Sequence, residues 1–335
     1  MRAVITQGSH TPLAPTELPD PVPGTGELLV RITACGICGS DLHLSDALDV
    51  PGIVLGHEFA AEVLEAGPGV DGWVGGERIA AFPIVSCGVC AWCRAGSPSK
   101  CAQANQLGLG RPGAFAQLTT MAADGAYRLP DALTDDLGAL VEPLAVAHHA
   151  LARTPRPADD PVLILGAGPV GAAVALWARH RGARHVVVTD PVADRRALAE
   201  RVGATATIDP TTTDVAAEFA RITGQLPSTI VECVGIPGMI QHAADVAAID
   251  AHVTVVGVCI PPDQLTPFTA LSKELSLQFV LYYSRASFAA TLEALAHEAL
   301  DPTPLVTARI TLDELPHAFD ALKHPTTDCK VIVHP

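Results

Sequence analysis

Cys87, Cys90, Cys93 and Cys101 put four thiols into fifteen residues of a chain that has nine cysteines in all, spaced C-x2-C-x2-C-x7-C. Two-residue gaps let successive sulfurs turn into one small tetrahedron, and the longer gap closes it from the other side. Four thiolates leave a zinc ion no open position, and closed zinc sites are structural. An iron–sulfur cluster is the rival reading, but the inserts "AW" and "RAGSPSK" are loop-like and give nothing that suggests electron transfer.

A second, looser group lies upstream. "CGICGSDLH" holds Cys35, Cys38, Ser40, Asp41 and His43, "LGHEF" supplies His57 and Glu58, and "VEPLAV" adds Glu142 much later. A thiolate, an imidazole and one carboxylate leave the fourth corner of a zinc site open, as catalysis requires. Taken singly these residues say little: Cys38 could be a core thiol, and Cys35 with Cys38 could be a redox C-x2-C. The redox reading is weakened because neither lies in a thioredoxin-like βα context.

A third constellation is "LILGAGPVG", in which Gly166, Gly168 and Gly171 make G-x-G-x-x-G with Pro169 and Val170 between them. An apolar strand precedes it and a helical pattern follows, so free amides at the helix N-terminus face a pyrophosphate. The next strand, "RHVVVTD", ends at Asp190, about 20 residues beyond the glycines, where a carboxylate accepts from ribose hydroxyls and repels a 2′-phosphate. NAD is therefore expected over NADP. Arg195 is placed as a neighbour of the adenine or ribose, with a surface helix arginine as the plainer reading.

These groups must be carried by a larger scaffold. The chain has 335 residues, 49% of them hydrophobic, which suits two domains. Its formal net charge of −15 argues against nucleic acid or an anionic membrane as main partner. No stretch approaches eighteen uninterrupted apolar residues, and "MRAVITQGSH" shows no export signal, so a cytoplasmic location is the expectation. There thiols stay reduced, which disfavours a disulfide knot for the cysteine cluster.

The first third reads as β-rich, in "ELLVRITACGI", "GIVLGHEFAAEVLEAG" and "ERIAAFPIV". "VEPLAVAHHALAR" then has helical spacing, with Pro143 placed in a first helical turn, and "TPRPADD" reads as a linker. After it strands alternate with helices from "PVLILGAG" to "HVTVVGV", the pattern of a doubly wound parallel sheet. The tail holds a helix, a second amphipathic stretch at "LDELPHAFDALK" and a last strand at "KVIVHP".

In this order, "CGICGSDLH", "LGHEF", the four-cysteine lobe, "VEPLAVAHHA", "GAGPVG", "VVVTD" and "ECVG" resemble the zinc-containing medium-chain dehydrogenase/reductase superfamily from end to end. "EPLAVAHHA" and "VVVTD" are more similar to its polyol, threonine and butanediol dehydrogenase branch than to the liver-type alcohol dehydrogenases, in which a cysteine fills the position of Glu142. The resemblance implies an α/β chain made of a GroES-like β-barrel catalytic domain (1–148, with a structural-zinc lobe at about 86–102), an inserted Rossmann domain (149–284), and a return to the catalytic domain (285–335).

It further implies two zinc ions per chain and NAD. Cys38, His57 and a carboxylate hold the catalytic zinc, with Glu58 the direct ligand in many relatives and the residue at Glu142 binding zinc or its water in others. Adjacent residues such as His57 and Glu58 rarely point the same way in extended chain, so an exchange between the two carboxylates is expected. Asp41 orients His57 from behind. Hydride passes reversibly between a zinc-bound alkoxide of a secondary alcohol or polyol and the nicotinamide, with a proton relay from Ser40 to His43. The backbone at Val256, Gly257 and Val258 faces the nicotinamide carboxamide.

The segment His43–Gly56, with apolar Leu44, Leu48 and Val50 beside Asp46 and Asp49, is where substrate contacts are expected. A homodimer or homotetramer through the Rossmann sheet edge is implied by the resemblance alone. Two departures stand out: relatives usually carry Gly-Gly where this chain has Asp250-Ala251, and a glycine where it has Phe279. An NADP-preferring ketone or aldehyde reductase, and an inactive dinucleotide-binding structural or regulatory protein, are the alternatives. Cys233, Cys259 and Cys329 read as small buried residues.

Overall fold

Short runs of valine, isoleucine and leucine form a six-stranded parallel sheet in the middle of the chain. In spatial order its strands are Ala206–Ile208, Val186–Thr189, Val162–Leu165, Thr229–Glu232, His252–Val255 and Ser276–Phe279. The middle four are buried at every residue, as parallel strands covered on both faces must be. Helices Pro169–His180, Ala193–Val202, Val215–Thr223 and Met239–Val246 alternate with them. From Val162–Leu165 the chain steps outward one way to Ala206–Ile208, then starts again at Thr229–Glu232 and steps the other way. The strand order therefore reverses between Leu165 and Glu232, and ligands of such sheets bind outside the strand ends at that reversal.

The other sheet draws on both ends of the chain. Its order is Val306–Thr311, Lys330–His334, Glu27–Gly36, Glu58–Ala66, Arg78–Ala81 and Ala126–Arg128, with Leu118–Ala122 also paired to Glu27–Gly36. All pairings but the first are antiparallel. Gly36 is opposite both Ile332 and Glu58, so the last strand of the chain is one step from the "GHE" strand. Phe59, Phe115, Phe319, Leu28 and Leu55 fill the core beneath.

The chain is a computed structural model that describes every residue except 48, 156–158 and 325–326. Leu48 and the middle of the expected 154–160 linker thus lie outside the described residues. Two compact units result: Met1–Glu142 with Ser284–His297 and Val306–Pro335, and Pro143–Tyr283 with Glu298–Leu305. The first division falls at Glu142 rather than 148, inside the helix Asp135–Ala152.

That helix corrects the reading of Pro143. Two aspartates in its first turn start it eight residues earlier, so the proline is interior and leaves the helix without one amide donor. Asp250 adopts a left-handed φ of 58°, a conformation aspartate tolerates better than most residues. None of the described helices is long and apolar enough to cross a membrane.

Candidate active site and metal centres

The four cysteines of the lobe converge. Cys90 Sγ is 3.5 Å from Cys93 Sγ, Cys101 Sγ is 3.5 Å from Cys87 Sγ, and Cys87 Sγ is 3.9 Å from Cys93 Sγ. Zinc–thiolate bonds of about 2.3 Å put tetrahedral sulfurs about 3.8 Å apart, so the donor set fits that ion. The helical turn Ala91–Arg94 and the 3-10 turn Pro98–Lys100 aim the sulfurs inward, and the amide of Gln103 donates to Cys101 Sγ. Ser86 Oγ lies 3.3 Å from Cys93 Sγ, and that hydroxyl leads the effects that bring the Cys93 thiol down to about 6, while Cys90 is raised.

The two thiols should therefore differ in the metal-free lobe. At pH 7 Cys93 is mostly thiolate and Cys90 mostly thiol, so iodoacetamide should modify Cys93 at least tenfold faster in chelator-treated protein. Equal labelling in a peptide map would show that the lobe loses this arrangement without metal.

The looser group also converges, and in a different way. One ligand atom each of Cys38, His57 and Glu58 lies within 4.8 Å of the other two. Three donors of mixed type suit a zinc with one corner left for substrate. Gly56 turns the chain into this group with a left-handed φ of 89°, and a Cβ there would sit 2.6 Å from the Phe115 ring. Gly36 has the same steric logic, because a Cβ would stand 2.2 Å from Glu58 Oε2.

Asp41 is wholly buried and spends its carboxylate on this turn. Its Oδ1 is 3.2 Å from His57 Nδ1, and its Oδ2 accepts the Cys38 amide at 3.1 Å. That fixes the Nδ1 side of the imidazole and leaves Nε2 as the ligand atom. Burial pulls the His57 pKa down, but the Asp41 charge and hydrogen bond outweigh it and the net shift is well upward.

Helix Gly39–Ala47 carries the proposed relay residues. The Ser40 hydroxyl donates to Cys38 Sγ at 3.2 Å, and His43, one turn on, is exposed. Residues three apart share a helix face. Glu142 is buried on helix Asp135–Ala152 and is not part of the Cys38, His57 and Glu58 group.

Sequence reasoning missed Lys330. Its ammonium, 3% exposed, donates to both Glu58 oxygens at 2.7 and 2.8 Å and to the Ile37 carbonyl at 3.1 Å. A lysine opening the apolar run Val331–Val333 of the final strand was the available signal.

In the parallel sheet, Gly166 has φ 96°, and a Cβ on Gly171 would sit 1.9 Å from the Gly166 carbonyl oxygen. These two glycines are demanded by the turn itself. Gly168 is not: its φ is an ordinary −67° and a Cβ there would meet nothing within 4 Å. Open space over a helix N-terminus begun by Pro169 and Val170 is what a pyrophosphate would fill. Asp190 is buried, with Oδ2 accepting the Ala167 amide at 2.9 Å and Oδ1 the Val192 amide at 2.8 Å. Arg195 is half-buried on helix Ala193–Val202. Its neighbour Arg196 props the Asp190 carbonyl at 2.6 Å and pairs with Asp209 at 3.2 Å. Val256 is buried at the end of its strand, with half-buried Gly257 and exposed Val258 following.

Residues 24–131 match the alcohol dehydrogenase GroES-like domain, and residues 169–297 match the zinc-binding dehydrogenase domain. The chain is 32% identical over 321 residues to L-threonine 3-dehydrogenase of Salmonella arizonae, covering 92% of each. A structure described as a zinc-binding dehydrogenase of Sinorhizobium meliloti 1021 bound to NADP shares 32% identity and a TM-score of 0.90, over 100% of this chain and 99% of that one. Galactitol-1-phosphate dehydrogenase of Escherichia coli shares 27% identity and a TM-score of 0.90 over the full length of both. Fold, donor sets and kinship agree on one class, the zinc-dependent alcohol dehydrogenases. The chain belongs to the zinc-containing medium-chain dehydrogenase/reductase family, with a GroES-like domain and a Rossmann domain.

Proposed function

We propose that this dehydrogenase oxidises a secondary alcohol or polyol hydroxyl to the ketone with NAD, reversibly. The observation that carries the reading is the open three-donor group of Cys38, His57 and Glu58 in a chain that also carries a glycine turn whose next strand leads into Asp190. When bound, zinc would supply a Lewis acid that makes a substrate hydroxyl easier to ionise, and the nicotinamide would accept hydride.

The chain's own residues do the rest. Asp41 keeps His57 in the tautomer that ligates through Nε2. Ser40 Oγ takes the hydroxyl proton, and exposed His43 delivers it to solvent. Asp190 accepts from the adenosine ribose and disfavours a 2′-phosphate. The NADP-bound relative and the threonine and galactitol-1-phosphate enzymes define the range to test. A panel of secondary alcohols, polyols and amino alcohols with NAD and NADP, alongside zinc analysis, tests it. Two zincs per chain and NAD-linked turnover are expected; one zinc and no turnover would leave an inactive dinucleotide binder.

We also infer a homo-oligomer through the edge strand Ser276–Phe279. Its outer edge is unpaired among the described strands, and Phe279, Leu281, Phe268 and Leu271 are each 60–73% exposed nearby. An apolar sheet edge invites a second copy. Phe279→Glu with Leu281→Glu should yield monomers in light scattering, and an unchanged mass would rule this edge out.

A further inference from the structure

The parallel sheet splits a dinucleotide between its two halves. Asp190 follows the strand on one side of Gly166–Gly171, so the adenosine end of a bound dinucleotide would lie there. The nicotinamide end must then run across the reversal, toward the strand ends at Glu232 and Val255. Both loops leaving those strands are tied to one buried residue that the reaction scheme does not use, the first through its side chain and the second through its main-chain carbonyl.

Glu232 is 1% exposed. Its Oε1 accepts the amides of Val234 at 2.6 Å and Gly235 at 2.9 Å, so the carboxylate curls the turn after its own strand. Its main-chain carbonyl accepts the amides of Val256 at 2.9 Å and Gly257 at 3.0 Å, at the end of the neighbouring strand. The two loops touch where glycine alone fits. A Cβ on Gly235, whose φ is 73°, would stand 2.5 Å from the Val258 nitrogen, and one on Gly257 would stand 2.3 Å from the Gly235 nitrogen and 2.6 Å from Glu232 Oε2. One residue thus sets the curl of the first loop and the approach of the second.

We propose that Glu232 is the positioning residue for the nicotinamide half of the cofactor site, holding the Cys233–Gly235 turn against Val256–Val258 so that their backbone meets the ring at a fixed distance. The proposal rests on the dinucleotide reading above. A turn held by two buried amide–carboxylate bonds loses its shape when the acceptor is removed, because each stranded amide must find another partner.

The test compares a whole cofactor with its adenosine end. In Glu232→Ala, affinity for NADH by fluorescence titration should fall at least tenfold, while affinity for AMP by calorimetry stays within twofold. Glu232→Gln keeps an acceptor oxygen for the Val234 and Gly235 amides and should restore most of the loss. Equal losses for both ligands, or no loss for either, would overturn the assignment. Should the alanine variant fail to fold, Gly257→Ala presses on the same contact and should show the same selective loss; unchanged NADH affinity there would overturn the assignment too. Wild-type protein that binds neither NADH, NADPH nor AMP would instead sink the dinucleotide reading itself.

Discussion

Lys330→Met should destabilise the protein by about 3–5 kcal/mol, the usual effect of removing one partner from a buried ion pair. Lys330 and Glu58 are 3% and 1% exposed, and both carboxylate oxygens lie within 2.8 Å of the ammonium. Methionine fills the aliphatic volume of lysine and, in metal-free protein, leaves the Glu58 charge buried without its cation. The cause can be separated from lost packing by adding Glu58→Gln to Lys330→Met. If the stranded charge is responsible, the double variant recovers at least half of the loss in urea unfolding. Simple additivity of the two single losses would show that the pair is not coupled.

The pH dependence of this pair has a definite sign. Burial lowers the Lys330 pKa, but the Glu58 charge outweighs it, and the folded-state value ends above the ordinary lysine value of 10.5. The folded chain holds that proton more tightly than the unfolded chain does. Its stabilisation is therefore complete at neutral pH and fades only as pH rises beyond the ordinary lysine range. A loss of this term between pH 6 and 9 would contradict the pairing.

Asp190→Ala should lower kcat/KM for NAD by about 10–100-fold and leave NADP much less affected. One hydrogen bond from a ribose hydroxyl to a carboxylate is worth about 1.5–3 kcal/mol, and each 1.4 kcal/mol is tenfold, so the loss of one such bond accounts for the fall. Some of the loss comes from the turn, because Asp190 also anchors the amides of Ala167 and Val192. Asp190→Asn weights the two effects differently: it removes the charge that repels a 2′-phosphate and keeps one of the two acceptor oxygens that hold the turn. Its NADP/NAD ratio should rise, with a smaller loss of thermal stability than in Asp190→Ala. An unchanged ratio in both variants would remove the ground for an NAD preference.

Much of this molecule is legible in one dimension because its chemistry is local. Cys87, Cys90 and Cys93 are separated by two residues each, and so short a loop brings its sulfurs together with little help from the rest of the chain. The glycine turn is equally self-contained, since Gly171 must clear a carbonyl only five residues earlier. Alternating apolar runs and amphipathic helices likewise announce the parallel sheet, and Asp190 falls at a strand end the pattern can locate.

The rest depended on residues that only folding brings together. Lys330 lies 272 residues from Glu58, and no spacing rule could pair them before the last strand was seen beside Glu27–Gly36. Pro143 was misread as an opening residue because the first turn of its helix is polar and lacks the apolar rhythm that marks the remainder. Glu232 looked like part of the motif "ECVG", yet its work is done on two loops, one from the neighbouring strand. Sequence alone thus picked out the four-cysteine cluster and the glycine turn, whose geometry is set at short range. The tertiary structure decided which buried charges compensate one another, because burial and the partners it requires are properties of the packed chain.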